Sequence, residues 1–158
     1  MAVGLDAGFC GAALAAETLF NADFEDGDIS AWQTGGAGDA RVTVYAGNHS
    51  LRLLNAAQAT ATVNTDGYGA LTIKASFAAY RLGPHDLCVA EYSIDDGKHW
   101  KAVTTVRPGQ DDGLTLRAGV ANVASSHAPH VLVRLRAQLS DPNGACWGDN
   151  VSVAAERG

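Results

Sequence analysis

Between Ala70 and Tyr80 the side chains alternate. Leu71, Ile73, Ala75, Phe77 and Ala79 fall on one side, and Thr72, Lys74, Ser76 and Tyr80 on the other. From His130 to Leu139 the pattern returns, with Val131, Val133, Leu135, Ala137 and Leu139 set against Arg134, Arg136 and Gln138. A period of two places one edge of the segment in a core and the other in water, which is the signature of a half-buried strand. Shorter stretches read the same way over residues 19–25, 41–46, 50–55, 57–64, 86–94, 99–107, 114–123 and 146–155. They are separated by turn chemistry: Asp26-Gly27-Asp28, Gly47-Asn48, Asp95-Asp96-Gly97 and Asp141-Pro142-Asn143-Gly144. Such residues favour tight turns through left-handed backbone or side-chain bonds to nearby N–H groups. No segment shows a helical period, and no stretch repeats another. Nine to ten short strands in this length predict an all-β fold, a two-sheet antiparallel β-sandwich of the jelly-roll kind.

Composition supports that expectation. Of 158 residues, 47% are hydrophobic and 18% charged, with 18 glycines and four prolines for turns. The chain is long enough to bury about 68–70% of its unfolded surface, so one domain over residues 17–158 folds without help from a metal or a disulfide. Its net charge of −6 opposes a phosphate backbone, and no basic run offsets it, so a nucleic-acid partner is excluded.

Residues 1–16 are almost all small or apolar, and Ala13-Leu14-Ala15 has the form of a cleavage site. They read as a signal peptide or an unstructured N-terminus, although no Lys or Arg precedes the apolar stretch and Asp6 interrupts it. No apolar run of about 18 residues follows, so no transmembrane helix is expected. With the signal removed, Cys88 and Cys146 remain. In an exported chain an even pair reads as a disulfide, and two separate buried thiols are the alternative. The expected location is secreted, periplasmic or cell-surface.

Three segments carry a resemblance. Asn21-Ala22-Asp23-Phe24-Glu25-Asp26-Gly27 is followed by Trp32. Glu91-Tyr92-Ser93-Ile94-Asp95-Asp96-Gly97 runs on to Trp100. Arg134-Leu135-Arg136-Ala137 precedes Trp147-Gly148-Asp149-Asn150-Val151-Ser152-Val153. In this order they resemble bacterial secreted jelly-roll modules of the carbohydrate-binding and MAM-like type. The resemblance implies a structural calcium ion tying the first and last strands. Glu25 and Asp149 stand at its carboxylate positions, and carbonyls near Asp28 and Asn48 would complete an oxygen shell. Asn150 stands where those modules carry a second Asp, which lowers the charge of the site. Ser93, Asp95, Gly97 and Trp100 also match the Asp-box pattern of sialidases, read here as a structural hairpin because Ser and Asp can bond nearby backbone N–H groups.

Catalytic patterns are sparse. The acids Asp95, Asp96, Asp111 and Asp112 sit in turns, and Glu91 sits on a strand. No G-x-S-x-G occurs, and His127 and His130 lack a companion motif for metal binding. Sugars are held by aromatic rings and polar side chains together. Tyr80, Lys74, Arg134, Arg136 and Gln138, on the polar sides of the two long strands, are the candidate ligand platform. The sequence therefore predicts a noncatalytic exported module that binds a glycan or a cell-surface protein. The alternatives are an envelope or adhesive protein that self-associates, and a small glycoside-acting or metal-dependent hydrolase.

Overall fold

The computed structural model describes residues 16–45, 47–124 and 126–157. The expected signal segment, apart from Ala16, lies outside the described residues, and so does Ala46. Nine strands form: β1 (Glu17–Ala22), β2 (Trp32–Tyr45), β3 (Asn48–Asn64), β4 (Tyr68–Tyr80), β5 (Leu87–Ser93), β6 (Lys101–Val106), β7 (Arg117–Val123), β8 (His130–Gln138) and β9 (Ala145–Arg157). All pairings are antiparallel, and there is no helix among the described residues. The fold is the predicted jelly-roll sandwich.

One sheet runs β2–β3–β8–β5–β6, using Trp32 to Ala37 of β2 and the second half of β3. The other runs β2–β3–β9–β4–β7, using the opposite halves of the same two strands. β1 continues the line of β3 along β9, pairing from Ala22 with Val151 to Glu17 with Ala155. The β2–β3 ribbon thus belongs to both sheets. It changes sheet where Asn55 adopts φ +56° and Gly36 φ +80°.

The expected inward side holds, although on β4 Ser76 and Ala78 of the other side are buried too. Leu71, Ile73, Ala75, Phe77 and Ala79 are buried, as are Val131, Val133, Leu135 and Ala137 on the facing sheet. Gly148 shows how closely the sheets meet. A methyl group there would lie 2.8 Å from Leu135 Cδ1 and 3.2 Å from Phe77 Cε1. At the near end, Trp32 packs between Phe20 and Phe24 at ring separations of 5.7 and 5.8 Å.

Most boundaries fall within two residues of the sequence reading, and four differences are larger, each for a local reason. The first strand ends at Ala22 because Phe24 turns at φ +60°. β2 starts nine residues earlier than expected, at Trp32 instead of Arg41, because Gly35, Gly36 and Gly38 erase the alternation there. The two strands expected at 50–55 and 57–64 are one strand of 17 residues. β7 begins at Arg117 because Asp112 takes the N–H groups of Leu114 and Thr115 into a turn.

Cys88 on β5 and Cys146 on β9 are both fully buried and form a disulfide, with Cα atoms 5.8 Å apart. The bond ties one sheet to the other and closes 58 residues of chain. Replacing both cysteines by Ala is expected to lower unfolding stability by about 2–5 kcal/mol, since it frees the unfolded chain. Chemical denaturation of the double variant beside the parent measures it.

Candidate functional site

The outer face of the first sheet carries a groove of about 380 Å³. Its floor comes from alternate positions of three neighbouring strands: Gln33 on β2, Gln58, Thr60 and Thr62 on β3, and Leu132 and Arg134 on β8. The intervening residues Ala57, Ala59, Ala61 and Val63 point into the core, which turns the polar set outward. The turn from Asp96 to Trp100 forms one wall. In register, Gln33, Thr60, Arg134 and Glu91 make one row across the sheet, and Gln58 and Arg136 lie in the next.

Glu91 organises the row. It is 6% exposed, and its Oε2 accepts from Arg134 Nε at 2.7 Å and Arg136 Nε at 3.0 Å. Arg134 Nη2 reaches the same oxygen at 2.7 Å. Charge-assisted bonds of this kind hold long side chains in one geometry where solvent is mostly excluded. The Arg134 guanidinium also lies over the Trp100 ring, 3.8 Å from its centroid.

The wall is the predicted hairpin. Ser93 Oγ–H donates to Asp95 Oδ1 at 2.7 Å, and Ser93 Oγ accepts from Gly97 N–H at 2.8 Å. Asp95 Oδ1 also accepts from His99 N–H at 2.8 Å. These bonds, led by the His99 backbone N–H, hold the Asp95 carboxyl far below the usual carboxylate range. Asp96 takes the left-handed conformation and pairs with His130 at the groove's rim.

The five residues expected to make one ligand platform do not share a face. Arg134, Arg136 and Gln138 project from β8 on the outside of the first sheet. Lys74 and Tyr80 project from β4 on the outside of the second. Leu135 and Phe77 meet through the core between them, so the two polar faces point in opposite directions. The sequence pattern gave each strand a polar side but could not say that the strands lie in different sheets. Trp32, which follows the first of the resembling segments, is buried in the core. The groove residues Gln33, Gln58, Thr60 and Thr62 were missed, although the alternation of polar residues with Ala57, Ala59 and Ala61 marks three of them.

A second cluster lies at the edge of the second sheet. Glu25 Oε2 accepts from His49 N–H at 3.0 Å, beside the start of β3. Asp149 is 3% exposed. Burial, with the charges of Glu25 and Asp23 nearby, pushes its carboxyl up to about 6. A bulge at Asn150, φ +52°, breaks the β9–β4 register next to it. Asp149 pairs with Ser76, and one position beyond the Gly148–Leu51 pair brings Ser50 beside it and then Thr43. Among the described residues the Ser50 and Thr43 hydroxyls are buried without a hydrogen-bond partner.

Glu25 and Asp149 are therefore brought into electrostatic reach of each other. Asp28 instead caps its own turn by accepting from Ser30 N–H at 2.8 Å, and Asn48 sits exposed in the β2–β3 turn. Among the described residues no three carboxylate, imidazole or thiol groups converge as a metal cluster. An ion here would draw most of its oxygens from hydroxyls, carbonyls and water. Buried acid and unpartnered hydroxyl oxygens fit a hard cation with such a shell.

The architecture defines a class of small jelly-roll domains, and known structures share it. The CBM22-1 xylan-binding domain of Paenibacillus barcinonensis Xyn10C is 18% identical, with 93% of this chain and 99% of that one covered at a TM-score of 0.63. TmCBM61, solved with β-1,4-galactotriose, is 12% identical over 85% of this chain and 94% of its own, at 0.62. The K3 cleaved adhesin domain of Lys-gingipain from Porphyromonas gingivalis is 14% identical over 89% and 99%, at 0.54. At these identities the likeness is one of fold. No protein-family model and no curated protein sequence matches the chain.

The Ser93 hydroxyl serves several bonds in a buried position, so Ser93→Ala leaves their partners unsatisfied. The expected loss is about 1–3 kcal/mol of stability. Denaturant unfolding should show it, with the far-ultraviolet spectrum of the sheets unchanged.

Proposed function

We propose that this domain is a noncatalytic, exported glycan-binding module whose ligand lies along the groove on the outer face of the first sheet. The observation that carries the reading is the groove itself, an open trough whose floor is a row of amide, hydroxyl and guanidinium groups fixed on rigid strands. A sugar chain offers a rim of hydroxyls to such groups, and strand-mounted side chains lose little freedom on binding. The fold likeness to xylan- and galactotriose-binding modules supports it. The fully buried cross-sheet disulfide supports export, since such bonds persist in oxidising compartments.

A structural calcium ion at Glu25 and Asp149 belongs to the same reading. The ion would neutralise the buried Asp149 carboxylate and occupy the Ser50 and Thr43 hydroxyls. It would tie the segment after β1 to β9, which the modules resembled in sequence also do. Its role is to hold the edge of the sandwich, on the side away from the groove.

Two outcomes test these statements. On a glycan array the parent should bind a defined set of chains, and Gln58→Ala with Thr62→Ala should weaken that binding roughly tenfold, the worth of one or two hydrogen bonds. Lys74→Ala, on the opposite face, should leave it unchanged. A blank array, with assembly that grows with protein concentration, would favour the self-associating envelope protein instead. For the ion, millimolar calcium should raise the melting temperature by several degrees through mass action on the folded state. EDTA should reverse the rise, and Glu25→Gln should abolish it.

A further inference from the structure

Along the β8 side of the groove two arginines meet one buried acid. Arg134 and Arg136 both bond one oxygen of Glu91, so two guanidinium ions share one anion. The site is largely out of water: the side chains of Arg134, Arg136 and Glu91 are 19%, 31% and 8% exposed. Arg81 and Arg157, by contrast, each face a carboxylate of their own, Asp141 and Glu17. Arg41 and Arg52 also share one acid, Asp39, but Arg41 is 63% exposed there and water screens it. Asp96, the acid at the groove's rim, bonds His130 and, among the described residues, forms no ion pair with either arginine. Among the described residues Arg136 makes no side-chain hydrogen bond except through Nε. Its fork of Nη groups is left for an acceptor from outside. All this occurs in a chain whose net charge is −6.

The groove's aromatic ring is also spoken for. The Arg134 guanidinium covers Trp100 at 3.8 Å. Gly97 lies against the same ring, where a methyl group would be 3.4 Å from Cζ2. The apolar face of a neutral pyranose therefore finds no open ring on Trp100, and the groove presents amides, hydroxyls and the guanidinium pair of β8 beside it.

Building on the glycan reading, we propose that the ligand is an acidic polysaccharide bearing uronic acid carboxylates, and that Arg136, with Arg134 beside it, is the carboxylate subsite. A planar carboxylate matches the guanidinium fork and supplies the second negative charge that the pair lacks. Gln58, opposite Arg136 in register, and Thr60, opposite Arg134, stand where hydroxyls of the same or the next sugar would reach them.

The test is titration calorimetry of the full chain with polygalacturonate, alginate and glucuronoxylan. Each polymer is paired with its carboxyl-reduced form, in which a hydroxymethyl replaces the carboxylate. Neutral xylan, neutral galactan and a sulfated dextran complete the panel. Binding of at least one polyuronate is expected, weakened roughly tenfold to a hundredfold by carboxyl reduction, the range of one charge-assisted hydrogen-bond set. Arg136→Gln should reproduce that loss, and Arg136→Lys, which keeps the charge but not the fork, should restore only part of it. Carboxyl reduction leaves the protein untouched, so an unstable variant does not blunt the test. Equal binding of a polyuronate and its reduced form, or binding of neutral chains alone, overturns the acid subsite and leaves the glycan module standing. Binding of the sulfated chain alone overturns the assignment to carboxylate. A panel blank throughout removes both readings.

Discussion

Two strands of this sandwich cross from one sheet to the other together, and the crossing is built from residues with little or no side chain. β3 bends at Asn55, and Ala56 and Ala57 carry it over. β2 follows through Gly36 and Gly38. A methyl group on Gly36 would stand 2.2 Å from the Ala56 carbonyl oxygen, and one on Gly38 would stand 2.1 Å from that of Leu54. Those distances are closer than any side chain tolerates, so the ribbon turns only because glycine is there. Everything downstream relies on this turn. Before it, β3 pairs with β9; after it, β3 pairs with β8. A straight β3 could pair with only one of these two strands, and the other would lose it as a partner.

The same region explains where the sequence was readable and where it was not. Strands in the middle of a sheet announce themselves, because a core on one side and water on the other force the period of two. β8 shows it over its whole length, and β4 from Leu71 to Ala75. The Gly-rich segment from Gly35 to Gly38 carries no such pattern, since glycine has no side to show. The strand there is imposed by its partner, β3, through backbone bonds alone. Register between distant strands is likewise invisible along the chain. That is why Tyr80 and Lys74 could be grouped with Arg134 and Arg136, though the core lies between them. The disulfide was legible for a different reason. Parity and compartment suggest pairing without geometry, and the two cysteines sit at facing core positions of opposite sheets.

Charge placement followed the same division. Turn acids such as Asp95, Asp111 and Asp112 do local work: each accepts backbone N–H groups, and each carboxyl is held below its usual range mainly by those bonds. Their chemistry was legible from the Asp-Gly turns around them. Glu91 and Asp149 are the exceptions, because both are acids on strands and both are buried. Glu91 is compensated by two arginines that only the β5–β8 register brings to it. Asp149 has no ion pair among the described residues, and burial pushes its carboxyl up. The two buried strand acids therefore differ in what surrounds them, a pair of guanidinium groups for one and other acids for the other.

These two places are linked by one strand. Along β3 the outward-facing residues change character at the crossing. Ser50, before it, is fully buried next to His49, whose N–H Glu25 accepts, while Gln58 and Thr60, after it, are only half covered and line the groove. The strand therefore supplies the floor of a covered edge at one end and of an open trough at the other. The spacing of the trough is set locally, because Gln33, Thr60 and Arg134 are direct partners in the β2–β3 and β3–β8 ladders. The edge acts on the trough only through the one strand they share.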